Sequence, residues 1–226
     1  MAFKYENIVP WGRNFDEYVR MFGLQPEDLS KRIIGCGDGP ASFNAIANQM
    51  GGHVTSVDPI YVLTKAEIEK RIEATYQTVI SQTEQNQEKF RWDQIRSVEE
   101  LGQIRMEAMR VFLTSYDAGK ARNVYIPGTL PVLPFQDDTF ELALCSHFLF
   151  LYSDHLSSIF HLEAIQEMLR IAQEVQIFPL LDVNAQRSSH LDGVLAEFQD
   201  KAIEIRKVNY EFQIGGNEVL IIKRHR

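Results

Sequence analysis

Residues 32–61 constrain this chain more than any other stretch. An apolar run enters a glycine-rich turn, a helix-like segment follows, and a second apolar run stops at an acid, Asp58. That order is the opening of a nucleotide-binding βαβ unit. Gly35, Gly37 and Gly39 leave no side chain where the first strand turns into its helix, so a ligand is expected against bare backbone N–H groups. Pro40 suits the first helical position, where its missing N–H has no helical partner to lose. Asp58 is expected to accept hydrogen bonds from the two hydroxyls of a ribose. The segment asks for an adenosine-like ligand.

The third glycine separates two ligand classes. A dinucleotide fingerprint, G-x-G-x-x-G or G-x-G-x-x-A, would put its last small residue at position 40, where this chain has Pro40. Gly35-Cys36-Gly37-Asp38-Gly39 instead resembles motif I of the class I S-adenosylmethionine-dependent methyltransferases, and Asp58 matches the acid that ends strand two in that family. Farther on, Leu133-Pro134-Phe135, Phe140-Glu141 and Glu167 to Ile171 resemble the family's L-P-F-x-D-x-x-F-D-x-V and E-x-x-R-V segments. The chain departs from the family at Ile33, where an acid is usual, and at Thr129, where an Asp often meets the adenine amino group.

The resemblance implies a Rossmann-like α/β fold, a seven-stranded sheet in the order 3-2-1-4-5-7-6 flanked by helices. It implies S-adenosylmethionine as cofactor and S-adenosylhomocysteine as product. Carried over residue by residue, Gly35, Cys36, Gly37, Asp38 and Gly39 border the methionine part, Asp58 holds the ribose, and Pro59 and Ile60 flank the adenine with Thr129 and Leu130. Ser146 closes strand four beside the cofactor. The general base, where the acceptor needs one, belongs on the loop after that strand: His147 leads, because an imidazole titrates in a useful range, with Asp154 and His155 behind it and Asp182 in reserve.

With 226 residues and 45% hydrophobic content, the chain can bury about 70 percent of its unfolded surface as one domain. No apolar run approaches the roughly 20 residues that span a membrane, and the N-terminus lacks the form of a signal peptide, so a cytoplasmic protein is expected. Cys36 and Cys145 suggest neither a disulfide framework nor a metal site.

The apolar runs predict strands at 31–34, 53–57, 124–126, 142–146, 175–181, 201–208 and 219–223, with helices over 40–50, 153–172 and, capped by Ser189, 190–201. The span 62–122 is too long for one helix and a turn. Thr64-Lys65-Ala66-Glu67 and Ser97-Val98-Glu99-Glu100 both have capping-box form, so two helices start there. Ile68, Ile72, Tyr76 and Val79 make one apolar stripe, and Val98, Leu101, Ala108 and Phe112 another. This inserted pair and the segment 1–27, aromatic from Tyr5 to Phe22, are expected to cap the acceptor pocket.

Charge restricts the acceptor. The net charge is −8, and within the insert ten acids balance ten bases, so no Lys/Arg stripe exists for a phosphate backbone. The basic end Lys223-Arg224-His225-Arg226 reads as a solvated terminus. A small molecule is the expected methyl acceptor, ahead of a protein or nucleic acid. Two other classes stay open: a cofactor-binding protein with altered catalysis, and a dinucleotide oxidoreductase, which Pro40 disfavours. Oligomeric state is not readable.

Overall fold

In a computed structural model describing residues 9–224, β1 (Arg32–Cys36) starts exposed and is buried from Ile33 onward, as a central strand must be. It pairs in parallel with β2 (His53–Val57) on one side and β4 (Phe140–Ser146) on the other. The short β3 (Tyr125–Ile126) adds to β2, and β5 (Ala172–Phe178) adds to β4. The antiparallel pair β6 (Ala202–Lys207) and β7 (Glu218–Lys223) completes a seven-stranded sheet of order 3-2-1-4-5-7-6, with β7 against β5.

Alternate residues of each strand feed two cores, as the period of two requires. Ile34, Cys36, Ala143 and Cys145 face α5 (Ser158–Ile171) and α6 (Leu191–Glu197). Ile33, Leu142 and Leu144 face α1 (Phe15–Phe22) and α2 (Phe43–Gln49). The insert forms α3 (Lys65–Glu84) and α4 (Val98–Ala121), which close a third cluster over the β3 edge around Tyr61, Phe112, Tyr116 and Tyr125. Thr64 and Glu67 make the reciprocal capping box, whereas Ser97 caps α4 alone because Glu100 Oε2 accepts from Arg96 N instead.

Several expectations need correcting. Helix α2 begins at Phe43, because Gly39 and Pro40 are spent on the turn, so Pro40 does not occupy the first helical position. Strand β5 begins three residues early and ends before Pro179, which has no N–H to continue a ladder. Helix α5 starts only after Ser157, since the β4–α5 loop fills with turns, and α6 is capped at His190, not Ser189. Arg224 is no solvated tail: Nε donates to Leu169 O at 2.9 Å, and Nη2 to Arg170 O and Ala172 O, at the C-terminal end of α5. His225, Arg226 and Tyr5 lie outside the described residues.

A buried ion pair ties the insert to the N-terminal helix. Arg105 on α4 donates to both carboxylate oxygens of Glu17 on α1, at 2.5 and 2.7 Å, and the Tyr210 hydroxyl adds a third bond at 2.7 Å. Glu17 also completes the α1 capping box with Asn14. Burial would push the Glu17 carboxyl up, but the Arg105 and Arg13 guanidiniums outweigh it and hold the group down at about 2.

Candidate cofactor and acceptor cavity

The C-terminal ends of β1, β2 and β4 open into one cavity of about 390 Å³. Gly37, Asp38 and Gly39 form one wall, Asp58, Pro59 and Ile60 a second, Thr129 and Leu130 a third, and Ser146 and His147 a fourth. The N-terminal segment crosses this mouth: Val9, Pro10, Trp11 and Arg13 line it, and Arg13 O accepts from Ser42 N at 3.0 Å.

Gly37 and Gly39 both hold positive φ, +70° and +52°, where a side chain is strained. A Cβ at Gly37 would also strike the Phe148 ring at 2.9 Å, while one at Gly39 would meet only Asp58, at 4.0 Å. Their N–H groups are not bare. Gly37 N donates to Val57 O at 2.9 Å and Gly39 N to Asp58 Oδ2 at 2.9 Å, so the glycines permit close approach and do not supply free donors.

Asp58 directly follows β2, its Oδ1 accepting from Ile60 N at 2.8 Å, which leaves each oxygen a further acceptor site open to a ribose hydroxyl. Burial pushes its carboxyl up to about 6 despite those two N–H donors. Asp38 turns inward beneath Gly35, where a Cβ would fall 1.8 Å from its Oδ2. It accepts from Ser56 Oγ at 2.5 Å and from the Tyr18 hydroxyl at 2.8 Å. Burial, countered by these donors and reinforced by the Asp58 charge, raises it to about 6. Two carboxylates, bare glycine surfaces and an apolar flank of Ile60, Leu63 and Leu130 suit the adenosyl and methionine parts of S-adenosylmethionine.

His147 follows β4 with φ +52°, a left-handed conformation uncommon outside glycine and frequent at functional sites. Its Nδ1 is 3.0 Å from Ser146 Oγ, its N–H donates to Phe178 O, and its ring packs on Phe178. Burial, with the charges of Arg13 and Arg105, holds the imidazole well below its ordinary value and therefore neutral at pH 7.

Not every expected residue reaches the cavity. Cys36 is fully buried in the core beneath the turn, and Gly35 is covered by Asp38. Asp154 and His155 are exposed and do not line the cavity, because the turns after Leu149 carry them outward. Asp182 Oδ1 accepts from Asn184 N and Gln186 N and builds its own turn. Glu167 and Arg170 are structural: Glu167 accepts from Leu133 N at 2.7 Å and from Arg170 Nε at 2.7 Å, fixing the Leu133-Pro134-Phe135 segment to α5.

Arg13, Tyr18, Arg71 and Phe160 are among the cavity residues that sequence reasoning passed over. Arg13 Nη1 donates to Trp11 O at 2.8 Å, its Nε is buried without a partner, and it makes no ion pair among the described residues. An arginine between a tryptophan and an N-x-x-E cap gives little local signal. Among the described residues no three His, Cys, Asp or Glu gather as a metal site, and no helix is long and apolar enough to cross a membrane.

No protein-family model matches the chain. It is 38% identical over 220 residues to the uncharacterized protein MJ0045 of Methanocaldococcus jannaschii, covering 97% of each chain. Solved structures to which it is similar include the PH0226 protein of Pyrococcus horikoshii OT3, at 10% identity over 92% of this chain and 90% of that one with a TM-score of 0.48. Another is a magnesium protoporphyrin IX methyltransferase of Synechocystis PCC 6803 with bound SAM, at 12% identity over 93% and 90% with a TM-score of 0.44. The chain belongs to the family of MJ0045, and its sheet has the strand order of the class I S-adenosylmethionine-dependent methyltransferases.

Proposed function

We propose that this protein is an S-adenosylmethionine-dependent methyltransferase acting on a small molecule. The observation that carries the reading is that Asp58, the glycine turn and His147 line one cavity at the C-terminal edge of this sheet. Asp58 binds the ribose, Gly37 and Gly39 let the methionine part approach the backbone, Ile60 and Leu130 flank the adenine, and Arg13 offers spare N–H groups to a carboxylate. When bound, the cofactor supplies a methyl group already activated by a sulfonium.

Placement is then the main task of the protein, because an acceptor atom held in line about 3 to 3.5 Å from the methyl carbon gains several kcal/mol of its barrier from orientation alone. His147, neutral at pH 7, takes the proton of an acceptor that must lose one. Trp11, Phe148 and Phe160 line the cavity and exclude water. The strap at 9–13 and the insert, whose Arg71 and Leu63 reach the cavity, narrow its mouth, which supports a small acceptor over a protein or nucleic acid.

The test is thermal unfolding with S-adenosylhomocysteine, S-adenosylmethionine and NADH in separate samples. A ligand at about 100 times its dissociation constant adds about 2.7 kcal/mol to stability. Stabilisation by the first two and not by NADH is expected, followed by transfer of labelled methyl into small-molecule fractions; no response to either would overturn the proposal.

A further inference from the structure

We propose that the methyl acceptor is a carboxylate, bound through Arg13 and Arg105 in a second chamber that opens beside His147. This deepens the proposed methyl transfer by giving the chemical class of the acceptor, and it rests on that reading.

The chamber, of about 80 Å³, adjoins the main cavity and shares three of its wall residues, Trp11, Arg13 and His147. Leu101, Leu151, Val183 and Phe212 give it an apolar lining, and no acid lines it among the described residues. Two guanidiniums do. Arg105 is fully buried and spends both Nη groups on Glu17, which leaves its Nε buried without a partner. Arg13 spends Nη1 on Trp11 O, and its Nε is likewise buried without a partner. The neutral polar groups of the wall are turned to backbone instead: Thr83 Oγ1 donates to Val79 O at 2.8 Å and Gln213 Nε2 to Asp182 O at 3.0 Å.

Counting charges gives the sign of the ligand. Two guanidiniums have one carboxylate between them, Glu17, and Arg105 already holds it through both oxygens. Burial and the Arg105 charge together push the Arg13 guanidinium below its ordinary value, so a further anion relieves that repulsion and meets orphan N–H donors at once. The chamber has room for several waters, or for a carboxylate on a short apolar stem. The carboxylate of the cofactor is the other source of this chemistry, and the walls favour the acceptor: Gly37, Gly39 and Asp58 line only the main cavity, and Arg105 lines only the second chamber. An acceptor with its carboxylate there presents its reacting end at the junction, beside His147, whose Nε2 has no hydrogen-bond partner among the described residues.

The test follows the arginine Nε–H signals by proton–nitrogen NMR, that of Arg13 being assigned by its loss in Arg13→Met, or in Arg13→Lys if the first variant does not fold. The full chain, with and without saturating S-adenosylhomocysteine, is titrated with acetate, with benzoate, and with benzamide as the uncharged control. With S-adenosylhomocysteine bound, one of the two carboxylates is expected to shift the Arg13 signal saturably and to bind at least about tenfold more tightly than benzamide, the value of a hydrogen bond to a charged group; the Arg13 variant should lose that preference. Equal binding of carboxylate and amide, no response of Arg13 to either carboxylate, or a preference that survives the variant overturns the proposal. A shift of the Arg13 signal by S-adenosylhomocysteine itself, with no further response to carboxylates, assigns the site to the cofactor and overturns the carboxylate acceptor while the proposed function stands. A carboxylate response in a protein that binds no S-adenosylhomocysteine overturns the methyl transfer, and the acceptor role with it.

Discussion

Replacing Arg105 with methionine should show how strongly the inserted helices are held to the body of the protein. Glu17 and Arg105 are 2% and 0% exposed, so the substitution leaves a carboxylate sealed from water with only Tyr210 and Asn14 as donors. Losing one partner of such a pair costs about 3 to 5 kcal/mol. An independent route agrees: a carboxyl moved from 4.5 to about 2 gains, at about 1.36 kcal/mol per pH unit, about 3 kcal/mol from its native surroundings.

The same numbers fix the pH dependence. Because the folded-state value is depressed, the contribution is complete above pH 4.5 and is lost as pH falls toward 2. In urea unfolding, Arg105→Met should therefore cost about 3 to 5 kcal/mol at pH 7. The gap between wild type and Glu17→Gln, which cannot titrate, should shrink steadily between pH 4.5 and 2.5. Removing both partners should cost less than the sum of the single variants, because neither charge is then left buried alone. A loss below about 1 kcal/mol for Arg105→Met, in the range of an exposed pair, or a pH-independent gap for Glu17→Gln, would refute this account of the pair.

Two further outcomes are expected. Asp58→Ala should weaken S-adenosylhomocysteine at least about tenfold, the value of one hydrogen bond to a charged group, and in the wild type the affinity should be level above pH 7 and fall as Asp58 protonates through about 6; calorimetry across pH 5 to 8 checks both. Phe112→Ala, which empties the centre of the aromatic cluster under the insert, should cost about 3 to 5 kcal/mol in denaturant unfolding while α1, α2 and the sheet keep their circular-dichroism signature.

The sheet was legible because its signals are local. Apolar runs bounded by glycine or acid mark strands wherever the chain passes through the middle of a parallel sheet, and the S/T-x-x-E sequences at Thr64 and Ser97 announce the two inserted helices directly, although only Thr64 completes the box. Boundaries failed where a neighbour in space decides them. Pro40 belongs to the turn because the N-terminal segment packs on it, and β5 begins early because Ala172 already pairs with Phe140 of β4. The site was half legible for the same reason. Spacing identifies Asp58 and the glycines, yet nothing near Asp38 indicates that its carboxylate turns inward to Tyr18, 20 positions away, or near Glu17 that its partner lies 88 positions on. Cys36 was misplaced by its company in the turn: it is still the last residue of β1, and its side chain falls on the core face.

Gly12 has a practical bearing on how the protein should be handled. A Cβ there would lie 2.1 Å from Pro40 O, so the strap meets the entrance of α2 backbone to backbone, with Val9 and Pro10 already in the cavity wall. A fluorophore attached at residue 9 or 10 sits in the cavity wall, where it occludes the opening. Arg224 is a poor labelling position as well, because its guanidinium ties the residue after β7 to the C-terminal end of α5.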